Sequence, residues 1–236
     1  MIEAHDVWRA PGLRGVSLRV RSGEVLCVTG AIGSGRRELG LVLAGVEPPD
    51  SGTVLVQGRV VRGPRDAIRR GVVFLPADRK REGLLLELTV LDNVMLGRIV
   101  QDRGPVVRPR RQRIESARLV TRLRVRTRSL STPVRLLSGG NQQKVVLARW
   151  LSVGARAFVF DEPTAGIDVG TKIEIYKLLR ELADGAAAIV LLSSDYEEIK
   201  LMADRVIVLR RGQIAGEIGR DEISEERLLA LGQAAG

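Results

Sequence analysis

The chain has 236 residues and a formal net charge of +10, carried by 38 basic residues of which all but five are arginines. Hydrophobic residues make up 44 % of the chain and aromatic residues 3 %, so the sequence predicts a sizeable, largely aliphatic core. One cysteine and one histidine, Cys27 and His5, exclude a disulfide scaffold, a cysteine metal cluster and a multi-histidine metal site.

The first third of the chain alternates strand-like and turn-like segments. Strands are predicted at 16–20 and 24–29, and the second is a Val-rich run typical of a buried strand. That run stops at Gly30, where a glycine-rich loop begins. A helix at 37–43 and further strands at 52–57 and 71–75 follow.

The glycine-rich loop has the spacing of a phosphate-binding loop. Its residues are Gly30, Ala31, Ile32, Gly33, Ser34, Gly35, Arg36 and Arg37. In the pattern G-x-x-x-x-G-K-[ST], backbone N–H groups curl around an anion, and the following helix adds its positive end. Here Arg36 stands where lysine reaches the phosphates, and Arg37 stands where Ser or Thr coordinates Mg²⁺. A glycine-rich turn without a ligand is the alternative.

The middle of the chain is rich in arginine. Residues 98–128 contain eleven arginines and two acids. Apolar residues at helical spacing predict an amphipathic helix over 110–123. We interpret residues 91–151 as a helical lobe inserted into an α/β core of residues 1–90 and 152–236, all within one domain.

A second candidate anion site follows this lobe. Its residues are Leu137, Ser138, Gly139, Gly140, Asn141 and Gln142. Ser138 is expected to cap a helix over 141–151, and the N–H groups at the start of that helix favour an anion. One nucleotide does not need two such sites in one subunit, whereas two subunits facing head to tail use both.

Two carboxylates end a buried strand in the last third of the chain. The strand is predicted at 157–161 and ends in Asp161, with Glu162 next. In a parallel sheet the carboxyl ends of the strands face the ligand crevice. There Asp161 suits a contact to Mg²⁺, and Glu162 suits a general base that polarises water. An ordinary strand-end turn with solvated acids is the alternative.

The remaining segments complete an α/β pattern. Helices are predicted at 169–182 and 196–202, with a strand at 188–192 between them and a hairpin of strands at 205–209 and 213–217. Because strands alternate with helices, we expect an α/β fold with a largely parallel sheet.

These motifs, in this order, resemble the nucleotide-binding domain of ATP-binding-cassette (ABC) transporters. The resemblance rests on the phosphate loop, LSGGNQQK at 137–144, FVFDEP at 158–163 and the loop ending at Asp168. GSGRREL, PADRKREGL and DEPTAGIDVGTKIEIY are similar to the second, C-terminal ATPase domain of ribose- and galactose-type importers. The resemblance implies a P-loop NTPase-type, mainly parallel sheet with helices, an N-terminal antiparallel β subdomain and an inserted α-helical signature lobe.

The resemblance also implies roles for individual residues. Residues 30–37 would bind nucleotide, and residues 137–142, the signature, would contact ATP held by a partner cassette. Asp168 belongs to the D-loop, and Ser194 occupies the position of the switch histidine. The glutamine of the Q-loop falls near Ala77, with no glutamine close by.

The position of the nucleotide base is left open by the sequence. Trp8 is the one candidate for an adenine-stacking aromatic before the phosphate loop. The alternative for Trp8 is a half-buried strand tryptophan without a ligand.

We therefore expect the ATP-binding part of a carbohydrate ABC importer, an ABC-type ATPase that couples ATP binding and hydrolysis to sugar uptake. Its cofactors would be ATP and Mg²⁺, with Asp161 as the candidate ligand for the metal. Its partners would be a second cassette in a head-to-tail dimer, transmembrane permease subunits and, indirectly, a periplasmic sugar-binding protein. No apolar run approaches the ~20 residues that span a bilayer, and no signal peptide is visible, so we expect a cytoplasmic protein peripheral on the inner face of the membrane.

A soluble ABC ATPase acting on nucleic acid or the ribosome is the alternative function. Arginine-rich helices neutralise phosphates, but residues 98–128 contain no aromatic side chain to stack on bases. We therefore expect no nucleic-acid partner. A third hypothesis, a non-catalytic scaffold, predicts that substitutions in the signature have no effect.

Overall fold

The computed structural model describes residues 1–101 and 109–233, without the side chains of residues 99–101. Contacts divide the chain into two compact units. The core unit consists of Met1–Phe74, Arg156–Glu162 and Leu179–Gly236, and the lobe unit consists of Leu75–Ala155 and Pro163–Leu178. Each unit is built from segments that are distant in sequence. The expected division at 91–151 stays a prediction.

Strands and helices alternate through the described chain. The strands are β1 (Ile2–Arg9), β2 (Leu13–Val20), β3 (Val25–Gly30), β4 (Ser51–Val56), β5 (Arg59–Val60), β6 (Val72–Leu75), β7 (Ala157–Asp161), β8 (Ala188–Leu192), β9 (Arg205–Arg210) and β10 (Gln213–Gly219). The α-helices are α1 (Arg36–Leu43), α2 (Pro64–Arg69), α3 (Val90–Gln101), α4 (Pro109–Arg122), α5 (Gly139–Ser152), α6 (Val169–Asp184), α7 (Tyr196–Met202) and α8 (Glu225–Gln233). A π-helical turn spans Arg79–Gly83, and 3₁₀ turns span Val134–Leu136 and Arg220–Glu222.

The larger sheet has the strand order β10-β9-β3-β8-β7-β6. Strand β3 pairs in parallel with β8 and β9, and β7 pairs in parallel with β8, whereas β10 runs antiparallel to β9. Strands β7 and β8 are buried along their whole length, as expected for strands covered on both faces. Because parallel strands end at one edge, Gly30, Asp161 and the residues after Leu192 lie along the same edge. The expected α/β class is therefore confirmed.

The smaller sheet is antiparallel, with the order β2-β1-β4-β5. It confirms the expected N-terminal antiparallel subdomain. Its first strand, β1, has irregular register between Ala4 and Val7, where Asp6 has a φ of 45°. The sequence analysis did not predict β1, because this irregularity breaks the alternation of apolar and polar residues.

The core is aliphatic, as the composition predicts. Buried side chains of the smaller sheet, such as Ile2 and Val16, join those of the larger sheet, such as Leu26 and Val190, in one cluster. The main aromatic exception is in β7, where the buried rings of Phe158 and Phe160 lie 5.9 Å apart.

The lobe unit is largely helical and has a polar centre. The predicted helix over 110–123 is confirmed as α4, whereas Arg103 and Arg108 of the arginine-rich run lie outside the described residues. Asn93 of α3 is fully buried and accepts hydrogen bonds from Arg149 of α5, at 2.8 Å to its backbone oxygen and 3.0 Å to Oδ1. Burial lowers the pKa of Arg149 to about 10. None of the described helices is both long and apolar enough to cross a membrane.

Candidate functional site

The phosphate loop connects β3 to α1 in the core unit. Gly30, Gly33 and Gly35 have φ angles of 152°, 79° and 94°, a conformation that favours glycine. A Cβ on Gly35 would overlap the carbonyl oxygen of Gly12. The glycines therefore allow the backbone conformation of the loop, as the phosphate-loop pattern predicts.

Exposure changes sharply along this loop. Ala31, Ile32 and Gly33 are exposed, and the Ile32 side chain is fully so. Ser34 is 4 % exposed, and its hydroxyl has no hydrogen-bond partner among the described residues. Gly35 precedes the first turn of α1, whose N–H groups have no partner within the helix. The Ser34 hydroxyl and the first N–H groups of α1 are thus donors that an anion could use.

Arg36 is ion-paired within the core unit. Its Nη2 donates to Oε1 of Glu162 at 2.6 Å, and the two side chains are 18 % and 21 % exposed. The same Oε1 accepts from the backbone nitrogen of Ser194 at 2.9 Å and from its hydroxyl at 2.8 Å. Nη1 of Arg36 is buried without a partner among the described residues. Arg36, Glu162 and Ser194, three of the predicted site residues, therefore form one hydrogen-bonded group.

Arg37 makes a second pair beside the first. Its Nη1 donates to Oδ2 of Asp161, and its guanidinium lies 6.0 Å from the centre of the Phe74 ring. Asp161 is 4 % exposed. Burial raises the pKa of its carboxyl group, and the nearby Arg37 lowers it only in part. A buried carboxylate at this position consequently depends on Arg37 for its counter-charge.

Magnesium does not fit this arrangement. Arg37 offers no oxygen, and it already occupies the carboxylate of Asp161, the candidate ligand. Among the described residues, no three His, Cys, Asp or Glu side chains are grouped so that they could hold a metal. A hard cation prefers several oxygen ligands, and a guanidinium beside its carboxylate repels it.

Two cavities lie within the core unit, one of them beside the phosphate loop. One, of about 260 Å³, is lined by Gly30 and Ala31, by Ser194 and Tyr196, and by Leu228 and Leu229 of α8. The other, of about 400 Å³, is lined by Trp8, Leu13, Arg14 and Asp50 among others. Trp8 lies on β1, 43 % exposed, and its Nε1 donates to Oδ1 of Asp6 at 3.1 Å. Trp8 is therefore a strand residue as the alternative states, and its role toward a base stays a prediction.

The signature lies at the start of α5 in the lobe unit. Ser138 occupies the N-cap position, but its hydroxyl makes no capping bond. Instead that oxygen accepts from Nδ2 of Asn141 at 2.8 Å, while Oδ1 of Asn141 accepts from the backbone of Arg126 at 2.7 Å. Ser138 is therefore the N-cap residue, as expected, but its hydroxyl accepts from Asn141 and not from a backbone N–H group of the helix.

The other signature residues sit in close packing. A Cβ on Gly140 would collide with Thr171. Gln142 is 3 % exposed and donates from Nε2 to the Val134 carbonyl oxygen at 3.3 Å. Leu137 donates its backbone N–H to the same oxygen at 3.0 Å. These contacts hold the first turn of α5 in one position.

Asp168 accepts hydrogen bonds at the start of α6 in the lobe unit. It accepts from the backbone nitrogen of Thr171 at 3.0 Å and from its hydroxyl at 2.7 Å. These hydrogen bonds lower the pKa of Asp168. Asp168 thereby satisfies the start of α6, a task that the sequence analysis did not assign to it.

One functional candidate escaped the sequence analysis. Arg79, in the π-helical turn, is 9 % exposed and lies beside Gly139 and the carbonyl oxygen of Ala165. The segment PADRKREGL was noted only for its resemblance. In the sequence, Arg79 is one of several basic residues in this motif, and nothing in the pattern distinguishes it from its neighbours.

Comparison with known proteins places these motifs in a family. The profile of the ABC transporter family matches residues 13–165. The chain belongs to that family. A ribose import ATP-binding protein of Rubrobacter xylanophilus is 43 % identical over 99 % of this chain and 48 % of its own length. An arabinose import ATP-binding protein of Burkholderia thailandensis is 43 % identical over 98 % of this chain and 45 % of its own length. The cassette thus spans about half the length of these curated relatives.

Solved structures of ABC cassettes share the fold. A dimeric ATP-binding cassette with ADP and phosphate bound has a TM-score of 0.81 at 23 % identity, covering 93 % of this chain and 99 % of that one. A nucleotide-free cassette from an ABC transporter has a TM-score of 0.82 at 21 % identity, covering 98 % of each chain. The expected P-loop NTPase-type fold is confirmed.

Proposed function

We propose that this cassette is the ATP-binding part of a carbohydrate importer, corresponding to the second, C-terminal half of relatives that carry two cassettes in one chain. The observation that carries the proposal is similarity over nearly the whole chain to about half of ribose and arabinose import ATP-binding proteins. The motifs GSGRREL and PADRKREGL support the assignment to the second half. ATP is the substrate that both the phosphate loop and the signature would bind.

The cassette's own phosphate loop is degenerate in this proposal. Arg36 and Glu162 neutralise one another, so the arginine does not point a free charge at a phosphate and the carboxylate is not free to polarise water. Ser194 stabilises the same carboxylate oxygen, and serine does not supply the imidazole of a switch histidine. Charge stabilisation is the largest contribution to phosphoryl transfer. The site would therefore bind nucleotide weakly and hydrolyse it slowly.

Nucleotide binding at this site would be independent of magnesium. Arg37 fills the place of the metal ligand and engages Asp161. A nucleotide that enters without a metal must have its phosphate charge met by Arg36 and by the backbone N–H groups of residues 30–37.

The signature would serve a different nucleotide. Ser138, Gly139 and Gly140 stand at the N-terminus of a fourteen-residue helix, which attracts an anion. In a head-to-tail dimer they would contact the γ-phosphate of ATP held by a partner cassette. That partner would carry out most of the hydrolysis, with Asp168 helping to position its site.

The family and its import relatives support further partners of this kind in general. The cassette would work from the cytoplasmic face of the membrane, bound to transmembrane permease subunits, with a periplasmic sugar-binding protein acting through them. Several arginines of the lobe unit are engaged in ion pairs, including Arg98 with Glu115 and Arg126 with Glu174 at 3.6 Å. This pairing does not favour a nucleic-acid partner.

The proposal is tested by ATP hydrolysis in the complex with its partner cassette and permease. Ser138→Arg should reduce turnover at least about tenfold, because the long side chain would keep the partner's nucleotide away from the N–H groups at the start of α5. Ser131→Arg is the matched control, since Ser131 is also an exposed serine of the lobe unit, and it should leave turnover unchanged. Brisk hydrolysis by the isolated chain, abolished by Glu162→Gln, would refute the degenerate site. A silent Ser138→Arg would refute donation of the signature.

A further inference from the structure

Arg79 is a buried arginine with few partners. It opens the π-helical turn Arg79–Gly83, where Asp78 accepts backbone hydrogen bonds from the next residues, Lys80 and Arg81. Its side chain forms no ion pair with any described residue. Burial lowers the pKa of Arg79, and the charge of Asp78 opposes that shift. A charge held this deep usually has a counter-charge or a ligand.

The guanidinium of Arg79 lies at the start of the signature helix. Nη1 donates to the carbonyl oxygen of Ala165 at 3.1 Å. A Cβ on Gly139 would overlap Nη2 and would lie 3.4 Å from Cζ. The same Cβ position is 3.7 Å from the carbonyl oxygen of Gly166. Arg79 therefore contacts both the first residue of α5 and the loop that leads to Asp168.

Of the N–H donors of this guanidinium, only Nη1 has a hydrogen-bond partner among the described residues, the Ala165 carbonyl oxygen. Nε is buried and has no hydrogen-bond partner among the described residues. Close by, the Gly139 end of α5 carries the partial positive charge of a helix N-terminus. Two positive groups that face each other at short range destabilise one another unless an anion lies between or beside them. An anion at this position would therefore be stabilised by both.

We propose that Arg79 completes an anion site at the start of α5 and contributes its charge to the binding of a terminal phosphoryl group there. The site comprises the Arg79 guanidinium and the N–H groups of Gly139 and Gly140, with the loop at Ala165 held in place by Arg79. This inference rests on the proposed function, in which that phosphoryl group belongs to a nucleotide on a partner cassette. A side chain at 139 would displace the Arg79 guanidinium from this position.

The first test uses inorganic phosphate and the full chain alone, so that it does not depend on a partner. Titration is followed by the amide resonances of Gly139 and Gly140. Arg79→Gln should weaken phosphate binding roughly tenfold or more, the range of a lost charge-assisted hydrogen bond. Arg79→Lys keeps the charge and should weaken binding less. Arg81→Gln is the matched control, because Arg81 carries the same charge two residues away and its side chain is 88 % exposed.

The outcomes separate a phosphate role from a merely structural one. Binding by Arg79→Gln equal to wild type, or an equal loss in Arg81→Gln, would overturn the proposal. If Arg79→Gln does not fold, Gly139→Ala replaces it, since this variant retains Arg79 and displaces its guanidinium. Gly139→Ala should also weaken binding, and unchanged phosphate affinity there would overturn the proposal as well.

The second test uses the complex with its partner cassette and distinguishes this inference from the proposed function. Arg79→Gln should raise KM for ATP or lower kcat in the partner's hydrolysis, whereas Arg81→Gln should change neither. If Ser138→Arg is silent while Arg79→Gln still weakens phosphate binding, the donated signature fails and the anion site stands. If Ser138→Arg inhibits and Arg79→Gln leaves binding and kinetics unchanged, the signature stands and the role of Arg79 fails.

Discussion

Glu162→Gln should tighten nucleotide binding by the isolated cassette. In the wild-type chain Arg36 must leave Glu162 before it reaches a phosphate, and the carboxylate competes for the guanidinium. The neutral amide keeps the shape and a hydrogen-bond acceptor, and it loses the charge. Hydrogen bonds that involve charged groups are worth about 1.5–3 kcal/mol and neutral ones about 0.5–1.5 kcal/mol.

The expected gain follows from that difference. Releasing Arg36 from a charged to a neutral acceptor lowers the competing interaction by about 1–1.5 kcal/mol. Both side chains are about one-fifth exposed, so solvent screens the pair only partly. The dissociation constant should fall about fivefold to tenfold.

The assay is titration of the isolated chain with ADP in the absence of magnesium. ADP avoids nucleotide-driven pairing of cassettes through a γ-phosphate. Glu217→Gln is the matched control, because Glu217 also pairs with an arginine of the core unit, Arg205, at 3.0 Å. It makes the same change in net charge at a distance from the loop. Unchanged or weaker ADP binding in Glu162→Gln, or equal tightening in Glu217→Gln, would refute the idea that Glu162 competes with phosphate for Arg36.

Two further predictions concern stability. Gly35→Ala should lower the free energy of unfolding by more than about 2 kcal/mol, because the backbone has a positive φ and the new Cβ meets the Gly12 carbonyl. Gly33→Ala has a similar φ with open space around it and should cost only about 1 kcal/mol; equal losses in urea denaturation would contradict this. The raised pKa of Asp161 means that folding favours its protonated form, a stabilisation present at low pH and lost as pH rises through the folded pKa. Denaturation from about pH 4 upward should therefore show wild type losing stability relative to Asp161→Asn, and parallel curves would count against buried ionisation.

Fully buried strands were the most predictable part of the fold. The strands at 157–161 and 188–192 match β7 and β8 because every residue in them is buried, so an apolar run marks their whole length. Helix α8 was not predicted, and none of its residues is buried in the structure.

The sequence predicted where the backbone places the site residues, but it did not predict which side chains contact one another. The order of motifs indicated which residues share an edge of the sheet. It did not indicate that Arg36 pairs with a residue 126 positions away, because a long side chain has many rotamers and its choice depends on tertiary packing. Ser138 is the N-cap residue as expected, but the partner of its hydroxyl was not predictable for a similar reason, since the amide of Asn141 lies one turn away.

The paired side chains at the phosphate loop make its electrostatics differ from those of the chain as a whole. Two guanidinium and two carboxylate groups sum to zero there, although the protein carries +10 overall. Opposite charges in contact have a field that falls off quickly with distance, so this quartet does little to steer an approaching nucleotide. A fast association of nucleotide must therefore depend on the other arginines of the chain. Raising the ionic strength should lower the association rate constant more than it raises the dissociation rate constant.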